Sequence, residues 1–298
     1  MTAAGATAQR RGIRIPRRWI PYLLLAPGLL WLAIFFLAPL YFMARQSLES
    51  GTLFTGYSFT WEFSNYTNAI SNFHEQLIRS FEYAAASTIL ALLIGYPLAY
   101  AIATRGGKWR TALILLVILP SLTTYLVRTL AWQTILDDSS PTLDIMRSLG
   151  LVGEQGHLLA TTGAVIAGMT YNFLPFMILT LYATLERFDK TMLEAAYDLY
   201  ASRSKAFMRV TLPLSMPGIV AGSLLTFIPA VGDFVNAQLL GSSRQFMIGN
   251  VIQSRYNVLS DYPTAAALSF ILMAVVLVMV ILWVRVAGSE ALTGDTAA

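Results

Sequence analysis

A chain of 298 residues that is 56% hydrophobic and only 12% charged lacks the exterior of a soluble domain, in which about a quarter of residues carry charge. Its formal charge of +4 comes from basic residues scattered between apolar blocks, which argues against a nucleic-acid surface. With no cysteine, disulfides, thiol nucleophiles and Cys-ligated zinc are excluded, and the redox compartment is not readable.

Residues 1–18 carry Arg10, Arg11, Arg14, Arg17 and Arg18 and form a basic tail ahead of an apolar run. That run, from Trp19 to Met43, exceeds a signal-peptide core and is long enough to cross about 30 Å of hydrocarbon, so it reads as a retained first span. Further apolar blocks follow at about 80–103, 111–136, 160–185, 213–236 and 264–284. An all-α membrane protein with six transmembrane helices is expected, its membrane domain covering 19–286. The ends, Thr2 to Ala8 and Ala291 to Ala298, are low in complexity, and 287–298 is expected to be a short tail.

Six spans put both termini on one side. With the termini inside, fourteen of the 20 Lys and Arg residues fall on the inner side, including the N-terminal arginines, Arg105, Lys108, Arg110, Arg187, Lys190, Arg203, Lys205, Arg209 and Arg285. Arg45, Arg79, Arg128, Arg147, Arg244 and Arg255 fall outside or near outer span ends. The asymmetry predicts cytoplasmic termini in a cell (inner or plasma) membrane. Pro27, Pro97, Pro120, Pro175 and Pro229 lie within spans, where each removes a backbone hydrogen bond that neighbouring helices must make good.

Between the fourth and fifth spans, Thr191 and Glu194 have capping-box spacing, which predicts a short helix beginning there. On it Met192, Ala195, Ala196 and Leu199 recur at i, i+3, i+4 and i+7. The result is an apolar face on a loop that the charge rule places in the cytoplasm. Such a face either packs on the chain's own helices or lies in a groove of another protein. A turn at Tyr200-Ala201 leads to a second short helix near Ser202 and to Val210-Thr211-Leu212-Pro213, where the fifth span starts.

Glu194-Ala195-Ala196, the turn at 200 and Val210-Thr211-Leu212-Pro213 together resemble the EAA loop of permease subunits of ATP-binding-cassette importers. Leu214-Ser215-Met216-Pro217-Gly218-Ile219 continues that family's entry to the next helix. The resemblance covers nearly the whole chain. It implies the type I, MetI-like permease fold, with a coupling loop over 186–212 docking into a cytoplasmic ATPase through Met192, Glu194, Ala195, Ala196, Leu199 and Tyr200. It also implies two copies of that ATPase, a second related permease, an extracytoplasmic substrate-binding protein and surrounding lipid. Tyr200 departs from the family pattern, which has glycine at the turn.

Pro229 to Val235, with Leu239-Leu240-Gly241 and Met247 to Gln253, is similar to the spermidine/putrescine permeases within this family, and parts are shared with permeases for opines, thiamine or ferric iron. Asp233, read as lying in the outward half of the fifth span, fits a cationic solute, because a carboxylate in the membrane must pair or face water. Its fixed alternatives are capping the next loop or pairing with Arg128. Tyr125, Trp132, Tyr171 and Phe234 could add cation–π faces along a path, and Asn172 a hydrogen bond. Arg128, which would repel such a solute, is expected to snorkel or to pair with Asp137 or Asp138.

Gly106-Gly107-Lys108 lacks the glycine spacing of a phosphate-binding loop, so ATP and Mg are expected in the partner ATPase and no cofactor in this chain. His74 and His157 are expected to be solvated surface residues in separate outer loops with no second His at metal spacing, so no metal site is expected, and enzyme activity is not. A self-contained secondary carrier would show paired broken helices in repeated halves, and none is evident.

Overall fold

The computed structural model describes residues 20–150, 152–153, 156–188 and 190–287. The two tails expected at 1–18 and 287–298, apart from Ala287, lie outside the described residues, as do the five N-terminal arginines. The first span begins as α1 (Ile20–Leu32), passes a π-helical turn (Ala33–Leu37) and ends as α2 (Ala38–Gln46). None of its apolar window is buried in the chain, and its contact with the bundle runs through α2 against α14 (Tyr262–Ala287).

A two-stranded antiparallel hairpin follows, β1 (Glu49–Thr52) with β2 (Gly56–Phe59), Glu49 opposite Phe59. Nothing in the sequence pattern announced it. Then α3 (Ser64–Arg105) runs for 42 residues, roughly 63 Å at 1.5 Å per residue and about twice the hydrocarbon thickness. Only the half nearer Arg105 matches the apolar block expected at 80–103.

The third span is broken. A 3₁₀ segment (Gly107–Trp109), α4 (Arg110–Ile118) and a second 3₁₀ turn (Leu119–Leu122) lead to α5 (Tyr125–Leu136), which departs at 90°. Pro120 supplies no donor, and Thr123 and Thr124 are extended, so the helix cannot run through. A surface helix α6 (Pro141–Ser148) precedes the fourth span, α7 (Thr162–Glu186), whose N-cap Thr161 accepts from the Ala164 N–H at 3.1 Å.

After α7 come α8 (Lys190–Asp198), α9 (Arg203–Ala206), a π turn (Phe207–Thr211) and α10 (Leu212–Leu214). A 60° bend leads into α11 (Met216–Val231), the membrane part of the fifth span. Beyond it lie α12 (Val235–Leu240), a 3₁₀ turn (Ser243–Gln245), α13 (Ile248–Asn257) and the sixth span, α14. Among the described residues four helices are long and apolar enough to cross a membrane, and six spans result when each bent pair counts as one.

The bundle is centred on α3, α7 and α11. Small residues bring these helices together, as expected where packing replaces the hydrophobic drive. A Cβ on Gly218 of α11 would stand 2.5 Å from Thr184 Oγ1 of α7, and one on Gly168 of α7 would stand 2.3 Å from Leu240 Cδ1 of α12. One core cluster, with Ala91, Ile102, Met177 and Leu181, lies toward the α8 end. A second, with Val165, Met169, Val231 and Leu240, gathers around α5, α7 and α12.

Candidate functional site: an uncovered loop helix and a buried polar cluster

The α8 loop is shaped by its two caps. Helix α8 starts at Lys190, so Thr191 sits one residue inside it. Thr191 is therefore not the residue at which the helix starts, and what precedes Lys190 lies outside the described residues. At its other end the helix closes in a Schellman motif: the Ala201 N–H donates to the Ala196 carbonyl at 3.0 Å, and the Tyr200 N–H to the Tyr197 carbonyl at 2.9 Å. That motif places Tyr200 at the left-handed position, with φ of 57°. Tyrosine there costs roughly 1–2 kcal/mol relative to glycine. Ser202 then caps α9, its hydroxyl accepting from the Lys205 N–H at 3.4 Å.

Of the apolar face read from the sequence, Met192 is 55% exposed and Leu199 82% exposed, while Tyr200 is 98% exposed. Ala195 and Glu194 are also exposed, and Ala196 is half-buried. Among the described residues no other helix covers this face. Leu193 and Tyr197 instead line a chamber against α3 and the π turn. At the same end Arg110 pairs with Glu186 at 3.1 Å, tying α4 to the end of α7, and its guanidinium lies 5.0 Å from the Tyr182 ring.

The second constellation joins α5, α7 and the start of α12. Asp233 is not within the fifth span: α11 ends at Val231, and Asp233 sits in the link to α12, 6% exposed. One carboxylate oxygen, Oδ1, accepts from the Val235 N–H at 2.9 Å and the Asn236 N–H at 3.2 Å. Donation by these two groups at the start of α12 is the capping geometry that favours Asp there. The other, Oδ2, accepts from the Tyr125 hydroxyl and from Asn236 Nδ2, each at 2.6 Å. The carboxylate is thus satisfied by fixed, neutral donors. Among the described residues it has no ion pair, and Arg128 is not its partner.

Asn236, fully buried, continues the network. Its Nδ2 also donates to the Tyr125 oxygen at 2.6 Å, and its Oδ1 accepts from Thr129 Oγ1 and Asn172 Nδ2, each at 3.3 Å. Asn172 Nδ2 reaches Thr129 Oγ1 as well, at 3.2 Å. Tyr125, Asn172 and Asp233, singled out from the sequence, therefore meet, while Thr129 and Asn236 complete the cluster without having been anticipated. The signals were present: Thr129 is one helical turn from Tyr125, and Asn236 stands three residues after a helix-starting Asp.

Arg128 lies beside this cluster. Its guanidinium is 5.8 Å from the Tyr125 ring centre and Nη1 is 3.5 Å from the Asn172 carbonyl. It pairs with neither Asp137 nor Asp138. Asp137 instead accepts from Ser139, which holds its carboxyl below the usual range, and Asp138 meets His157 Nδ1 at 2.7 Å. His157 is a solvated loop residue, 63% exposed, with Asp138 beside it, whereas His74 lies on α3 rather than in a loop.

Tyr125, Arg128 and Asn172 share a cavity of about 460 Å³ with Phe173 and Phe176 of α7 and Ile228 of α11. Trp132 and Tyr171 stack edge to face at 5.5 Å between ring centres, outside that lining. Phe234 is partly exposed on the link itself. Among the described residues no three or more acidic, His or Cys side chains group as metal ligands.

Residues 15–287 match the model of a family described as binding-protein-dependent transport system inner membrane component. The spermidine/putrescine transport system permease protein PotB of Haemophilus influenzae is 35% identical over 93% of this chain and 93% of its own length. Its Escherichia coli K12 counterpart is 34% identical over 86% of this chain and 93% of its own. A chain of the bacterial alginate ABC transporter, solved in complex with an alginate-bound periplasmic protein, superposes with a TM-score of 0.71 at 20% identity, covering 92% of this chain and 96% of that one.

Proposed function

The chain belongs to the binding-protein-dependent transport system inner membrane components and is an ABC importer permease, and on that premise we propose that it carries polyamines such as spermidine and putrescine across the membrane. The observation that carries the solute is the similarity to two permeases of that name over nine-tenths of their lengths. The solute is an extended chain of ammonium groups, and the cavity beside Tyr125 offers aromatic rings and the Asn172 amide to such a group. In this reading Asp233 acts from behind the cavity wall: its carboxylate orients the Tyr125 hydroxyl and caps α12. Trp132, Tyr171 and Phe234 line the approach.

The bare face of α8 is the docking surface for a cytoplasmic ATPase, two copies of which serve this chain and a second, related permease. An extracytoplasmic binding protein delivers the solute, both termini face the cytoplasm, and ATP with Mg is used by the ATPase alone. Uncovered Met192 and Leu199 support this, since apolar side chains at helical spacing fit a groove in a partner.

The test is expression in cells deprived of their own polyamine import, together with the neighbouring transport subunits. Uptake of labelled spermidine, and recovery of an ATPase and a second permease with the tagged chain, are expected. Uptake by this chain alone would make it a secondary carrier.

A further inference from the structure

Two cavities at the α8 end of the bundle share one residue, Arg105. The larger, about 850 Å³, lies between the end of α3 and the loop helices and is lined by Tyr100, Thr104, Arg105, Tyr197 and Arg203 among others. Among the described residues no carboxylate lines it, and neither Arg105 nor Arg203 belongs to an ion pair. Thr211, 1% exposed, lines the same chamber, and its hydroxyl has no hydrogen-bond partner among the described residues. Leaving a buried hydroxyl unbonded is costly, which marks the chamber as a place where an acceptor belongs.

The smaller cavity, about 440 Å³, is a groove between α3 and α4 lined by Leu98, Ala101, Ile102, Leu113, Leu116 and Val117, and Arg105 lines it too. A chamber of arginines and hydroxyls joined through Arg105 to an apolar groove on spanning helices has two chemistries side by side. One suits a phosphate and the other an acyl chain.

We propose that the two cavities form one binding site for an anionic phospholipid, its phosphate held by Arg105, Arg203 and the chamber hydroxyls and an acyl chain lying along α3 and α4. Such a lipid touches Leu193 and Tyr197, the inward side of α8, while Met192 and Leu199 point away from it. It therefore braces the docking helix from the membrane side. A free phosphate would fill the chamber and leave the groove empty, and a partner's carboxylate would do the same. The site does not rest on the identity of the transported solute, so its failure would leave the polyamine reading as it stands.

The experiment is native mass spectrometry of the purified transporter complex with palmitoyl-oleoyl phosphatidylglycerol, with phosphatidylcholine of the same chains as the neutral control, and with inorganic phosphate as competitor. Phosphatidylglycerol should stay bound where phosphatidylcholine does not. Arg105→Gln and Arg203→Gln should each weaken it about fivefold, the scale of one basic residue at an anionic membrane surface. Leu113→Trp, which fills the groove and keeps both arginines, should weaken it as well. Both arginines are exposed, so their replacement leaves the core intact. Unchanged phosphatidylglycerol retention in the double arginine variant would overturn the site. So would displacement by inorganic phosphate with Leu113→Trp harmless, which would show a free-anion pocket. Loss of the ATPase subunit with the lipid retained would assign the arginines to a protein partner instead.

Discussion

The hydroxyl of Tyr125 donates to the carboxylate of Asp233 at 2.6 Å across 108 residues of sequence, fastening the first residue of the sharply bent α5 to the link between α11 and α12. Each side of that contact is a chain break: the 90° bend before α5 and the end of α11. Both ends are held by one carboxylate with four donors.

Asp233→Asn exchanges one acceptor oxygen for a donor that faces Asn236 Nδ2. One of the short bonds at 2.6 Å must break, at a cost of about 1–3 kcal/mol for the group left unsatisfied. The purified complex should melt several degrees lower, and uptake should fall together with assembly. A fully stable Asp233→Asn complex that has lost uptake alone would show that the carboxylate acts on the solute and not on the fold.

Among the described residues Arg128 has no carboxylate to leave stranded, so Arg128→Gln should assemble normally. If the ammonium of the solute reaches the Tyr125 ring, a fixed cation about 6 Å away opposes it by about 1 kcal/mol even where water screens the pair. Its removal should then lower the apparent KM for polyamine roughly fivefold with kcat little changed. An unchanged KM would place the path elsewhere.

How much of this was legible follows from range. The spans and the α8 face are local patterns: an apolar block of twenty residues or a residue repeated every third and fourth position carries its own meaning. The bend at 123–124 is different, because the apolar run continues through it and Pro120 alone does not say by how much the helix turns. The hairpin 49–59 is too short and too poor in alternating apolar residues to stand out. The apolar pattern of α11 runs on past Val231 and so carries Asp233 into the span. Its partners, Tyr125 and Asn236, depend on where a distant helix begins. The sequence suggested Arg128 as a partner on charge alone, whereas the geometry gives Asp233 neutral donors.

At the turn after α8, Tyr200→Gly removes a side chain from the left-handed region without removing any hydrogen bond of the Schellman motif. The change should stabilise the helix end by about 1 kcal/mol. Slower amide exchange of Tyr197 to Ala201 in the assembled complex would report it. If coupled uptake collapses while that exchange slows, the exposed ring itself contacts the ATPase.

Gly168→Ala would put a Cβ 2.3 Å from Leu240 and 2.8 Å from the Asn236 side chain. Overpacking of this kind costs about 1–3 kcal/mol, and it pushes directly on the Asp233 network. Thermal melting should register the loss, and a melting temperature equal to that of the wild type would show that α7 and α12 can part at this contact without cost.

The most direct test of the account is ATP-driven spermidine uptake into proteoliposomes that hold this chain with its ATPase, second permease and binding protein, compared with the same assembly carrying Leu199→Asp. Leu199 is 82% exposed, so the substitution leaves the permease folded while placing a charge on the face proposed to meet the ATPase. The account predicts ATP-dependent accumulation by the wild type, and loss of both accumulation and ATPase recovery in the variant. Spermidine uptake that proceeds without ATP, or undiminished uptake by the Leu199→Asp assembly, would contradict it.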